Sequence, residues 1–355
     1  MSRPDPIERD LPAQQGVVAA RPDLGGGAAT PSFALVGTAR QSHVGDGSPV
    51  PRGGGTPPAP TSIGARLFRW GSRTYVMGIV NVTPDSFSGD GLLAPGRDGQ
   101  ADGAGGSDAG AAGDRLVEVA VAQARRMAEE GADLLDIGGE SSRPGHAVVD
   151  AAEESRRVVP IVAAIHRALP DLPISVDTTK PSVAAAAIDA GAALINDVWG
   201  VASDDALARL AAERGVPIVL MHNRAEARYA DLLGEVIADL EAAIERTRAA
   251  GVPEGSIIVD PGFGFGKAPV HNLALLDGLD RLRSLGRPIL LGASRKSTLG
   301  KVLDLPADQR LEATLATTAL AVRAGVDIVR VHDVRANVRV ARFADAVVRG
   351  WDGPA

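Results

Sequence analysis

From Ser62 onward the chain keeps a rhythm. Short apolar runs, each bounded by Gly, Asp or Asn, alternate with longer stretches whose apolar residues recur at i, i+3 and i+4. The runs are YVMGIV (75–80), ADLLDI (132–137), PISVD (173–177), ALIND (193–197), PIVLMH (217–222), SIIVD (256–260), PILLG (288–292) and DIVRV (327–331). Between them lie amphipathic stretches such as 114–130 and 231–250. Near-continuous apolar strands that alternate with helices predict a parallel sheet covered by helices. Eight such units predict an α/β fold, a (β/α)8 TIM barrel. A doubly wound open sheet is the alternative. The stretch LFRWGSRTY (67–75) reads as a hairpin that plugs the barrel bottom.

The pattern also sets the domain limits. Residues 1–62 are rich in Gly, Pro, Ala and Ser and show neither period. Such a segment buries too little to offset chain entropy, which predicts a disordered N-terminal tail. The barrel is expected over 63–350. A second glycine-rich stretch, at about 92–113, is expected to be a flexible insertion.

Composition narrows the function. The net charge of −7 argues against a nucleic-acid partner, which would select a basic surface. There is no cysteine, so disulfides, thiolate catalysis and Cys-ligated metal are excluded. No apolar run approaches the roughly 18 residues of a membrane span. With no signal-peptide pattern at the N-terminus, a cytoplasmic location is the default. Arginines outnumber lysines 33 to four, and there are five asparagines. A Lys or Asn at a strand end, such as Lys267, Lys296, Asn81 or Asn196, therefore stands out.

In a barrel of this kind, chemistry belongs where strands end and βα-loops begin. The eight runs end in NVTPDSF (81–87), GGESSRPG (138–145), DTTK (177–180), NDVWG (196–200), MHNR (221–224), DPGFGFGK (260–267), ASRKS (293–297) and RVHD (330–333). The opposite ends carry ordinary turn residues. The unusual polar groups thus share one rim.

DPGFGFGK fits neither a Walker A loop nor the dinucleotide fingerprint, because its glycines alternate as G-x-G-x-G. It reads as a tight loop that turns Asp260 inward. Phe263 and Phe265 either wall a flat pocket or pack beneath the loop. Asp177, Asn196 and Asp260 either cap the helices that follow or converge on a heterocycle with amino and N–H donors. Arg330 and His332 are two apart on a strand and so share a face, with Val329 and Val331 on the other. Arg330 facing inward needs an anion, or else a salt bridge such as one to Asp333. Lys296 joins this cationic side. Ser297, at a helix start, offers a hydroxyl to a further anion such as a carboxylate. His222 reads as a satisfied buried histidine, and the charges of DLEAAIERTR as a solvated helix face.

Taken in order, NVTPDSFS, ESSRPG, VDTTKP, NDV, LMH, DPGFGFGK, GASRKS and RVHDV closely resemble the dihydropteroate synthase family. The resemblance runs from about Val76 to Gly350. It implies an enzyme, a transferase of folate biosynthesis, that joins 6-hydroxymethyl-7,8-dihydropterin diphosphate to p-aminobenzoate. The products are 7,8-dihydropteroate and pyrophosphate, and the cofactor is Mg2+. On this sequence the resemblance places the pterin on Asp177, Asn196, Met221, Asp260, Phe265 and Lys296. It places the diphosphate on Asn81, Ser142, Arg143, Arg330 and His332, with Asn81 also on the metal. The p-aminobenzoate site falls to Phe87, Pro144, Lys296 and Ser297. Asp177, Asp260, Lys296 and Arg330 become the catalytic set. Sulfonamides are expected inhibitors, and a homodimer through outer helices is implied. The segment 311–325 either serves that interface or simply covers the barrel.

Overall fold

A computed structural model of the chain describes residues 57–82, 108–140, 149–200, 204–351 and 353. The predicted tail lies outside the described residues up to position 56, and the predicted insertion does so up to 107.

Eight parallel strands form the centre. They are β3 (Tyr75–Asn81), β4 (Leu134–Gly138), β5 (Ile174–Asp177), β6 (Leu194–Asp197), β7 (Ile218–Met221), β8 (Ile257–Asp260), β9 (Leu290–Leu291) and β10 (Ile328–Val331). Six of the eight predicted runs contain one of them, and the other two, 75–80 and 132–137, stop one residue short of the ends of β3 and β4. The order β8-β7-β6-β5-β4-β3-β10-β9 brings the last strand beside the first. A parallel bridge between Val259 and Ile289 joins β8 to β9 and closes the ring. The barrel is therefore the correct topology and the open sheet is not.

Helices cover the outside: α1 (Asp108–Glu129), α2 (Ala151–Ala168), α3 (Pro181–Asp189), α4 (Ala206–Arg214), α5 (Leu232–Ala249), α6 (Pro269–Asp277), α7 (Ser297–Leu303), α8 (Leu311–Ala324) and α9 (Val334–Arg349). Helix α1 begins at Asp108, inside the stretch predicted as a loop. Asp150 and Asp231 cap α2 and α5, accepting from the amides of Glu153 and Gly234.

Strand alternation sorts the core into two parts. Val76, Leu135, Val176, Ile195, Leu220 and Val259 point outward into the helix layer. Met77, Leu134, Leu194, Val219, Ile258, Leu290 and Ile328 point inward and fill the lower barrel.

The barrel bottom is sealed by a hairpin, as expected, but from different residues. Its strands are β1 (Thr61–Ile63) and β2 (Arg66–Phe68), paired antiparallel with Thr61 opposite Phe68. Gly64 turns the chain at φ +55°. The hairpin therefore starts six residues before the predicted one, and Thr61 and Ser62 belong to it. Strands of three residues are too short for a period to register. Phe68, Trp70 and Tyr75 pack together, with ring centroids 4.7 Å apart for Phe68–Tyr75 and 5.6 Å for Phe68–Trp70. Trp70 Nε1 donates to Thr61 Oγ1 at 2.9 Å, so the buried indole N–H is satisfied.

This plug makes a stability test direct. Phe68 is buried against the barrel floor, and Phe68→Ala should destabilise the fold by about 3–5 kcal/mol. Urea unfolding would measure it, and a loss under about 1 kcal/mol would show that the floor does not depend on the plug.

Candidate functional site

Above the apolar floor the inward positions change character. Among the next inward residues are Ile79 on β3, Asp136 on β4, Asp177 on β5, Asn196 on β6, Met221 on β7, Asp260 on β8 and Arg330 on β10. Gly138 and Gly292 take two further inward places. A side chain at Gly138 would press on Asp177, and one at Gly292 would approach Arg330 and Asp260. Small residues there leave the mouth open.

The centre of this layer is Arg330. Its Nε donates to Asp136 Oδ2 at 2.6 Å, and its Nη2 donates to Asp177 Oδ2 at 2.9 Å. Asn196 Nδ2 donates to the same Asp136 oxygen at 3.1 Å. The Arg330 side chain is only 17% exposed and Asp136 is fully buried. The internal salt bridge given as the alternative for Arg330 is formed, but to Asp136 and Asp177 and not to Asp333. Asp333 lies beyond the strand end and pairs with Arg295 instead, at 2.7 Å.

Helix capping fails as an account of the strand-tip acids. The caps of α3, α4 and α6 fall on Lys180, Asp205 and Ala268. Asp177, Asn196 and Asp260 are left facing inward. Asp260 Oδ1 accepts from the amide of Gly262 at 2.7 Å.

The DPGFGFGK loop resolves its own ambiguity. Gly262, Gly264 and Gly266 all have positive φ, between +54° and +85°, which L side chains rarely adopt. This alternation sends the two phenylalanines different ways. Phe263 is fully buried in the core, whereas Phe265 is half-buried beneath Lys296. The Lys296 ammonium sits 4.2 Å from the Phe265 ring centroid and donates to the Phe263 carbonyl. Packing under the loop is right for one residue and wrong for the other.

Charge states follow from burial. It pushes the Asp177 carboxyl up to about 7, against the pull of Arg330. It raises Asp260 as well, against Lys296. The same burial lowers Lys296 to about 8, with Asp260 working the other way.

His332 follows β10 on the same side as Arg330, as its spacing predicted. Its Nδ1 lies 3.0 Å from Ser294 Oγ, which also accepts its backbone N–H at 3.2 Å. A cavity of about 660 Å3 opens on this side, lined by Arg126, Arg295, His332 and Arg335 among others. Asn81 ends β3 beside Gly138 and is half-buried. Ser297 is exposed at the start of α7. Phe87, Ser142, Arg143 and Pro144 lie outside the described residues.

Two participants escaped the sequence reading. Asp136 sits inside the run ADLLDI, and an acid in an apolar strand at an inward register was the available signal. Asp239 was read as part of a solvated face. It instead turns toward the barrel, 3.1 Å from His222 Nε2 and 2.7 Å from Arg224 Nη2. His222 is fully buried and satisfied, as expected.

Among the described residues no group of three or more His, Asp or Glu is placed to hold a metal. None of their helices is long and apolar enough to cross a membrane.

Comparison with known proteins places this geometry. The family model for pterin binding enzymes matches residues 107–332. A dihydropteroate synthase of Clostridium beijerinckii is 45% identical over 288 residues, covering 81% of this chain and 99% of the relative. A solved dihydropteroate synthase of Clostridium difficile, in the presence of pteroic acid, superposes with a TM-score of 0.70 at 43% identity. That match covers 79% of this chain and 99% of the other. The Xanthomonas albilineans enzyme with 4-aminobenzoic acid gives a TM-score of 0.71 at 42% identity, covering 82% and 98%. The chain belongs to the dihydropteroate synthase family of pterin-binding enzymes.

Proposed function

We propose that this protein is a dihydropteroate synthase. It condenses 6-hydroxymethyl-7,8-dihydropterin diphosphate with p-aminobenzoate, giving 7,8-dihydropteroate and pyrophosphate in the cytoplasm. The observation that carries this reading is the inward layer in which Arg330 is held by Asp136 and Asp177. It puts acids for a donor-rich ring beside a cation for an anionic leaving group.

The pterin lies on Asp177, Asn196, Met221, Asp260, Phe265 and Lys296. Carboxylates and an amide meet its amino and N–H groups, Lys296 meets its acceptors, and Phe265 faces its plane. Arg330 has five N–H donors, of which two engage the acids. The others meet diphosphate oxygens, together with His332 and with Asn81, Ser142 and Arg143. As the C–O bond to diphosphate breaks, Arg330 and His332 stabilise the departing negative charge. Asp177 and Asp260, ionised, stabilise the positive charge left on the ring. The aniline nitrogen of p-aminobenzoate, oriented by Lys296, Ser297, Phe87 and Pro144, attacks the exocyclic carbon. Sulfonamides, which imitate p-aminobenzoate, compete at that position.

Mg2+ fits this donor set. An octahedral ion that arrives on phosphate oxygens keeps several waters and needs few protein ligands. Asn81, half-buried at the end of β3, would supply one amide oxygen at the rim. When bound, the ion neutralises charge on the diphosphate.

We also propose a homodimer. Helix α8 buries Thr317, Ala321 and Val322 against the barrel while exposing Leu320. The neighbouring α9 exposes Phe343 and Val347. One face covers the barrel and the other is available to a second copy.

Pyrophosphate release that needs both substrates and Mg2+ tests the activity, and its absence overturns the reading. Asp177→Asn should lower kcat by about 10²-fold while raising the pterin KM less. An unchanged kcat with weaker pterin binding alone would remove Asp177 from stabilising the cation. The pH profile of kcat/KM should fall below about 7 as Asp177 takes up a proton, and above about 8 as Lys296 loses one. A profile flat from about 6 to about 9 would show that neither group titrates in the free enzyme.

A further inference from the structure

Behind the tips of β7 and β8 lies a chain of polar groups, centred on a buried histidine, that the reaction as described does not use. His222 is fully enclosed. Its Nε2 meets Asp239 on α5 at 3.1 Å, and its Nδ1 lies 2.8 Å from Lys267 Nζ. Lys267 Nζ also donates to the Phe265 carbonyl at 3.2 Å. On the other side of the same loop, Lys296 donates to the Phe263 carbonyl. The alternating left-handed glycines thus present two alternate carbonyls to two different lysines.

The backbone contacts are equally close. Gly262 lies against the His222 carbonyl so tightly that any Cβ would collide with it, and Gly266 does the same against Arg224. Tyr229 donates its hydroxyl to the Gly266 carbonyl at 2.8 Å, and Asn272 Oδ1 accepts from Gly264 N at 2.7 Å. The loop is pinned along its length, and two of its pins are ammonium groups.

A lysine is an expensive choice for scaffolding alone. Burial, Lys296 and Arg224 all disfavour its charge, which lowers Lys267 to about 7, with Asp260 and Asp239 acting the other way. An apolar side chain of similar size would fill the space without that penalty. The low basicity of His222, held down first by burial and then by Lys267, leaves a neutral imidazole. With Nε2–H directed at Asp239, Nδ1 is an acceptor for the ammonium.

We propose that Lys267 is a positioning residue for the pterin site, seated on His222 and holding the Phe265 carbonyl while Lys296 turns from the loop to the bound ring. Lys296 has two competing partners, the loop carbonyl and the ligand. When it engages the pterin, Lys267 is the ammonium that still anchors the loop carrying Asp260 and Phe265. Asp239 acts at one remove, by fixing the imidazole tautomer. This inference rests on the dihydropteroate synthase reading.

The test is steady-state pyrophosphate release by the full chain with both substrates and Mg2+. Lys267→Met should raise the KM for the pterin diphosphate about tenfold and leave the KM for p-aminobenzoate within about twofold. Asp239→Ala, on the half-exposed face of α5, should give the same split at about threefold, and it decides the matter if Lys267→Met does not fold. Equal changes in both KM values, or none, would overturn the role. Loss of turnover by the unaltered protein would instead overturn the activity itself, so the two failures are distinct.

Discussion

The upper half of the barrel depends on one buried guanidinium. Arg330 projects into the ring, where a cation without anions would be unstable. Asp136 and Asp177 offset that cost, and they do more than neutralise it. Two hydrogen bonds from one planar group fix its orientation. Asn196 then docks on the same Asp136 oxygen. Four side chains from four strands become one unit, and the inward surface turns from apolar to charged within one layer.

That layer works because the one beneath it is sealed. Ile63, Phe68 and Trp70 close the lower barrel with the inward apolar residues of the strands. Water kept from below leaves the charges above in a low-dielectric setting, where each acts more strongly on its neighbours. The upward shift of Asp177 and the downward shift of Lys296 are two signs of the same burial. The hairpin therefore contributes to the chemistry although it touches none of it.

Much of this was legible in the amino-acid order. Unbroken apolar runs, set between stretches of period 3.6, located the eight inner strands, because each strand is buried on both faces. The inward polar residues were legible where they closed a run, as Asp177, Asn196 and Asp260 do. Asp136 was not, because an acid two places before a strand end looks like an interruption rather than a rim residue. Arg330 was assigned to the right face, but the acids it pairs with were not foreseen. Its neighbour in sequence, Asp333, lies past the strand end, and only closure of the ring brings β4 and β5 within its reach. Asp239 was missed because a helix face carrying alternating charges looks solvated until the packing of a buried histidine against it is known.

The seam of the ring adds a last consequence. Strand β9 is only two residues long, and a single bridge links it to β8. Asp260 tops one stave of that joint, and Lys296 follows the other. The most sparsely stitched edge of the barrel thus runs beneath two residues proposed for the pterin site, an acid and an amine. A guest wedged between those two groups would pry at the place where the wall resists least.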